Sequence, residues 1–368
     1  MQKLPNITRI LVWGLCICAG VTLGIMTGWW EQIRWGTWRK ELEVARIEQK
    51  NKKIYGENAD VIEWDWAVDK ILPLSWEILV SPYGTEERIT AFFQDTKYRL
   101  RMGYYRLDHT KIRNILCALR HKWVSVQLIH ESFPYESYAS NTIDKKFLSL
   151  QKYLTACGVQ VRSDDHLPTS YLHEKVTLAD DAYLLSTSNL TYTSFRKNRE
   201  YRVIGHDKEV FASLDYMLQA DRSWAVIPEK TVHPNLLICP LTCRERVEKL
   251  IESAKSEIVI AAQYVQDEWI IERLKIFAEK QGSRLQILVS PNQAKGRLDD
   301  LAPYVRILPA PYLHAKVLLV DQTYMLVGSM NFSTQAIENN REVSIILTDK
   351  ANIRRFVGQF EKDRAASK

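Results

Sequence analysis

The sequence predicts an α/β protein of two pseudo-symmetric lobes, each a mixed β-sheet flanked by helices, preceded by an N-terminal transmembrane helix. Three observations carry that expectation. The stretch from Tyr312 to Ile346 recurs from Tyr171 to Ile204, in register at eight polar positions. The segments ahead of each copy alternate strand-like and helix-like patterns in the same order, as a sheet covered by helices requires. The run from Ile10 to Trp30 carries no charge.

Taken in order, Met1 to Arg9 carries only Lys3 and Arg9 as charges, and the apolar run follows. As a helix, Ile10 to Trp30 would span about 31 Å, the thickness of a bilayer core. Trp29, Trp30, Trp35 and Trp38 cluster at its far end like an interfacial belt. A membrane anchor over 10–30 is therefore expected, with a cleaved signal peptide as its rival. Basic residues flank both ends, so the side of the membrane stays open. Residues 31–73 read as a stem, highly charged from Trp38 to Lys53.

The first lobe is expected over 74–208. It opens with a strand at Glu77–Pro82, then a helix (88–97), a strand (100–107), a helix (110–122) and a strand (124–129). A polar, aromatic loop spans 131–141 and a helix 147–157. A connecting helix and linker occupy 209–234. The second lobe, 235–368, repeats the plan: a strand at Asn235–Pro240, a helix at 246–255, a strand at 258–265, a helix at 269–280 and a strand at 285–289. Pro240 answers Pro82, and Tyr264 answers Tyr105.

Each lobe then ends in the duplicated stretch. Two apolar runs around a polar turn read as a β-hairpin. His173 and Lys175, like His314 and Lys316, are two apart on one strand and so share a face. A single offset carries His173 onto His314, Lys175 onto Lys316 and Asp180 onto Asp321. The first turn is one position shorter, so the offset then grows by one. It pairs Thr187 with Ser329, Asn189 with Asn331, and Asn198-Arg199-Glu200 with Asn340-Arg341-Glu342. One departure stands out: Ser186 occupies the place of Gly328.

These residue types suit phosphodiester chemistry. Two histidines titrate near neutrality and divide nucleophile and acid between them. Two lysines and two asparagines supply charge and neutral donors for phosphate oxygens. Glu200 and Glu342 follow their own repeat's histidine at almost the same interval, and are the natural groups to hold each imidazole.

The duplicated H-x-K-x4-D, with its following Asn and Glu, resembles the phospholipase D superfamily with its paired HKD motifs. The resemblance runs from near Trp76 to the end of the chain. It implies two lobes meeting at a shared site and a covalent phosphohistidine, on His173, with His314 as general acid and then base. It also implies that Lys175, Lys316, Asn189 and Asn331 hold phosphate, and that each Glu orients its His. Asp180 and Asp321 are implied to be structural, with Thr187 and Ser329 as further motif positions. No metal or other cofactor is implied, and no ligand cluster stands out in the sequence. Residues such as His109, His121, His130, His166, His206 and His233 lack partner motifs and read as surface or core residues, although His166 stands only seven positions before His173.

Composition bounds the rest. The chain has 368 residues, 46% hydrophobic and 26% charged, and is globular rather than disordered. Its net charge of +6 suits a phosphate-bearing partner without choosing between lipid and nucleic acid. The six cysteines form no zinc pattern and read as small core residues. The expected activity is hydrolysis of phospholipid headgroups by a monomer beside the membrane. A superfamily endonuclease and a phosphatidyltransferase resembling cardiolipin synthase are the alternatives. The single anchor counts against the transferase, and the lack of a long basic, aromatic stripe counts against the nuclease.

Overall fold

Apolar runs buried on both faces organise the molecule. Strands β5 (Lys175–Ala179), β6 (Ala182–Ser186) and β8 (Tyr201–Gly205) are buried at every position, as are β14 (Lys316–Val320) and β16 (Glu342–Leu347). Near-continuous Val, Ile and Leu is what a sheet covered on both sides demands. In the computed structural model the described residues are 66–134, 145–165, 167–223 and 225–368. Apart from 225–227, they belong to one compact unit. The anchor expected over Ile10–Trp30 and the charged stretch to Lys53 lie outside them. Among the described residues no helix is long and apolar enough to cross a membrane.

Two seven-stranded mixed sheets share one topology. The first runs β1 (Trp76–Val80), β8, β6, β5, β2 (Arg99–Tyr104), β3 (Ser125–His130) and β4 (Gln160–Ser163). The second runs β9 (Leu236–Cys239), β16, β15 (Tyr324–Gly328), β14, β10 (Ile258–Ala262), β11 (Leu285–Val289) and β12 (Val305–Ile307). In each, the last three strands are parallel to one another and the rest antiparallel. Both expected hairpins form, with Val176 opposite Leu185 and Val317 opposite Val327.

The helices are α1 (Thr85–Gln94), α2 (Thr110–His121), α3 (Lys145–Ala156), α4 (Tyr192–Arg196), α5 (Lys208–Ser223), α6 (Cys243–Glu252), α7 (Glu268–Gln281), α8 (Thr334–Glu338) and α9 (Lys350–Ala365). Side chains cap several of them: Asp267 accepts from the Ile270 amide at 3.1 Å and Asp349 from that of Asn352 at 2.8 Å. The helix read as a connector, α5, has a counterpart in α9, so it belongs to the duplicated plan. Residues 66–73, expected in the stem, pack on the second sheet. Ile71 joins its core, and Leu72 exchanges two 2.9 Å hydrogen bonds with the Asn235 amide.

The four cysteines among the described residues, expected as small core residues, are paired in disulfides. Cys117 is bonded to Cys157 and Cys239 to Cys243. A spacing of four inside one turn, and a pair brought together only by packing of α2 against α3, leave no pattern in the sequence.

Candidate active site

The lysines of the two motifs open β5 and β14, where Tyr104 and Ala262 are their register partners. Each histidine therefore lies just outside its sheet, on a segment that pairs with the other repeat. Strand β13 (Tyr312–Leu313) runs parallel to β7 (Asn198–Arg199), and Leu172 bridges Arg341. The His173 amide donates to the Arg341 carbonyl at 2.9 Å, and the His314 amide to that of Arg199 at 3.1 Å.

That pairing decides which carboxylate each imidazole meets. His173 Nδ1 lies 2.8 Å from Glu342 Oε1, and His314 Nδ1 lies 2.9 Å from Glu200 Oε1. The expected pairing within a repeat is thus replaced by a crossed one. The physical reason is local: the Asn-Arg-Glu backbone of one repeat lies against the His segment of the other, so the next side chain reaches across. Both glutamates are wholly buried, while about 15% of the His173 side chain and 16% of His314 stay exposed. With Nδ1 on a carboxylate, Nε2 is the atom each imidazole offers for chemistry, and at His314 the Lys316 Nζ lies 3.3 Å from it.

The remaining motif residues hold this pair of contacts. Thr187 Oγ1 donates to Glu200 Oε2 at 2.6 Å and Asn198 Nδ2 to Oε1 at 3.1 Å. Asn340 Nδ2 donates to Glu342 Oε1 at 3.2 Å, and the Ser329 hydroxyl also bonds that carboxyl. Lys316 Nζ donates to the His314 carbonyl at 2.7 Å, and Lys175 Nζ donates to that of His173. Asn189 and Asn331 follow the hairpins at equivalent places. Each has a buried Oδ1 with no hydrogen-bond partner among the described residues, so the fold does not consume these side chains. At Gly328 a Cβ would collide with the Val343 and Ser344 backbone, whereas Ser186 fits its place and accepts from the Ser188 amide at 2.9 Å.

Burial sets the electrostatics and the two halves differ. It pulls Lys175 down to about 7 and Lys316 to about 8. It pushes the Glu342 carboxyl up to about 8 and drives its partner His173 well below the ordinary imidazole range, helped by Lys175, Lys316 and His314. Burial also acts to raise Glu200, but His314, Lys316 and Arg202 together outweigh it and hold that carboxyl below its usual range. Burial lowers His314 as well, opposed by the charge of Glu200. Both imidazoles are thus lowered, His314 less than His173 because Glu200 opposes the burial.

Asp180 and Asp321 lie elsewhere, at the far ends of β5 and β14. Both take a left-handed backbone, φ 53° and 51°. Asp180 accepts from the amides of Lys97, Tyr98 and Arg99 at 2.7–2.9 Å, and Asp321 from those of Lys255, Ser256 and Glu257 at 2.7–2.9 Å. Each carboxylate tethers its hairpin to the start of β2 or β10. Of the other histidines, His109, His130 and His233 are buried, His121 and His206 exposed, and His166 outside the described residues.

One site residue escaped the sequence reading. The Tyr105 ring stands 4.8 Å from that of His173, edge to face, with Lys175 Nζ 5.3 Å from its centroid. The sequence matches it to Tyr264, but the register, with Tyr104 opposite Lys175 and Ala262 opposite Lys316, puts Gln263 at its place. Among the described residues no group of three His, Cys, Asp or Glu side chains is arranged to hold a metal ion.

Known proteins resemble parts of the chain. The domain family described as "Cardiolipin synthase, PLD-like domain" matches residues 89–222 and 247–364, more than half of the chain. The human mitochondrial cardiolipin hydrolase is 43% identical over 51 residues, 14% of this chain and 20% of that protein. A phospholipase D of Rickettsia prowazekii (strain Madrid E) is 28% identical over 118 residues, 30% of this chain and 57% of that protein. The chain thus matches about a fifth to just over half the length of these relatives. Among solved structures, the phosphatidylserine synthase of Haemophilus influenzae Rd KW20 superposes with a TM-score of 0.57 at 13% identity, covering 87% of this chain and 91% of that one. The polyphosphate kinase of Porphyromonas gingivalis gives 0.61 at 15% identity, covering 78% and 46%. At such identities these two speak for the fold alone.

Proposed function

This chain belongs to the phospholipase D superfamily, and we propose that it is a membrane-tethered phosphodiesterase that hydrolyses phospholipid headgroups through a phosphohistidine on His173. The observation that carries this reading is the crossed pair of His–Glu contacts, which holds Nδ1 of each imidazole on a buried carboxyl of the other repeat. His173, with Nδ1–H held by Glu342, attacks phosphorus through Nε2. The phosphorus–oxygen bond to the headgroup breaks, and His314 gives its Nε2 proton to the leaving alkoxide. Water then attacks phosphorus, returns a proton to His314 and frees His173. Lys175, Lys316, Asn189 and Asn331 hold the non-bridging oxygens. Thr187 and Ser329 act through the glutamates, and Asp180 and Asp321 through the hairpins.

Two relatives named for cardiolipin and phospholipid cleavage support a lipid substrate. The matching domain family's description favours a second reading, in which an alcohol replaces water in the second half-reaction. A panel of phosphatidylcholine, phosphatidylglycerol with and without glycerol, and single- and double-stranded DNA, each in EDTA, separates these readings. Headgroup release is expected, a cardiolipin-like product would favour transfer, and nicked DNA alone would overturn the lipid assignment. His314→Ala should slow headgroup release by about 10²–10⁴-fold, the range of general-acid catalysis. It should spare phosphohistidine formation from a p-nitrophenyl ester, whose leaving group needs no proton. His173→Ala should abolish both.

A further inference from the structure

The two halves of the site are not equally supported. At the end of β3 stands Glu131, 2% exposed and absent from the duplicated motif. Its Oε2 accepts from the Leu172 amide at 2.7 Å, and its Oε1 from the Phe133 amide at 2.7 Å. Leu172 immediately precedes His173 and is wholly buried. The flanking amides of that segment serve the cross-repeat ladder: Ser170 donates to Asn339 O at 2.7 Å and His173 to Arg341 O at 2.9 Å. Glu131 therefore takes an amide on the face turned toward its own sheet.

A second carboxyl braces the first. Asp164, just past the end of β4, accepts from both the Ser132 amide and its hydroxyl at 2.8 Å, and bonds Glu131 side chain to side chain. Burial and this neighbour push Glu131 up to about 9, so the pair keeps a proton between its carboxyls at neutral pH.

The second repeat lacks the device. Tyr104 pairs with His130 and Ala262 with Val289, so Ser290 is the register counterpart of Glu131. Ser290 Oγ accepts from the Asn292 amide at 3.1 Å, as Glu131 accepts from Phe133, and donates to the Gln263 carbonyl at 2.7 Å. The turn contact is common to both, and the longer Glu side chain adds the reach to the histidine segment.

We propose that Glu131, braced by Asp164, is a positioning residue that fixes His173 through the Leu172 amide and thereby sets the two histidines apart. The proposal rests on the reading that these histidines carry out phosphoryl transfer, but one of its tests does not need turnover. Glu131→Ser installs the second repeat's residue, keeping the turn contact and losing the reach. In ring-labelled full-length protein, Glu131→Ser should shift the His173 imidazole nitrogen resonances and leave those of His314 in place. Glu131→Gln, which keeps an acceptor at full length, should restore most of the wild-type spectrum. In the active enzyme, Glu131→Ser should lower kcat by about tenfold or more with KM little changed, since small misplacements of a reacting group are costly. Glu131→Gln should recover most of that loss. Unmoved His173 resonances, equal shifts at both histidines, or a wild-type kcat in folded Glu131→Ser would each overturn the proposal. A wild-type protein that cleaves no phosphodiester would instead count against the reading of function, with the resonances still deciding this point.

Discussion

Lys175 and Lys316 carry the charge available for a phosphate, and burial brings both near neutrality, to about 7 and about 8. An amine with a lowered pKa is charged below that value and neutral above it. Between pH 6 and 9 the free site should therefore lose its two cations in turn. Because kcat/KM follows the free enzyme, it should fall as pH rises through 7–8, while kcat at saturating substrate should fall less, bound phosphate having stabilised the charged amines. Initial rates across that range decide the matter, and a kcat/KM that is flat or rises to pH 9 would refute it. The eight motif side chains were legible because their spacing is duplicated. Their partners were not: spacing along the chain put Glu200 with His173, but the inter-repeat pairing at Arg199 and Arg341 gives it to His314. Glu131 was invisible for a related reason, since its role exists only where β3 ends beside Leu172.

Between the elements, the two repeats solve the same packing problem with different chemistry. After β1, Ser81 Oγ lies 2.9 Å from Thr85 Oγ1. With Pro82 matched to Pro240, the corresponding positions are Cys239, the last residue of β9, and Cys243, joined by a disulfide. Likewise Glu86 meets His109 at 3.4 Å and Arg196 at 3.2 Å, while Arg244 meets Asp267 at 2.8 Å and Glu338 at 2.6 Å. The positions agree, and the acidic and basic side chains change places. Identity-based matching of the repeats misses such pairs, which is why the sequence showed the motif, the opening prolines and the order of elements but not these contacts. Cys239→Ser/Cys243→Thr should thus rebuild the first repeat's contact. Cross-linking residues four apart gives about 2 kcal/mol by loop closure, and the new hydrogen bond returns about 1 kcal/mol. Urea unfolding should show a loss of about 1–2 kcal/mol with turnover nearly intact. Cys117→Ala/Cys157→Ala opens a closure of 40 residues and should cost about 4 kcal/mol by the same relation. A reversed order of the two losses would refute this account.

At the scale of the whole molecule the halves are tied crosswise. Arg199 of the first repeat pairs with Asp363 of α9 at 2.7 Å, and Arg341 of the second with Asp221 of α5 at 2.9 Å. These arginines sit beside the two site glutamates, so each C-terminal helix buttresses the other repeat's carboxylate. The body that holds the site, residues 66–368, should therefore be catalytically complete. On the proposed reading, what precedes it should matter for delivery rather than chemistry. Tethering by Ile10–Trp30 would confine the site near lipid and replace a bimolecular encounter by a high local concentration. The full chain and residues 66–368 should then cleave a monomeric short-chain phosphatidylcholine at equal rates. On long-chain vesicles, with the full chain reconstituted, the truncated body should be slower by at least about tenfold at low lipid, a gap that closes as lipid is raised. Equal rates on dilute vesicles would show that the segment does not deliver the site to its substrate. A truncated body inactive on the monomeric lipid would show that residues before 66 help to build it.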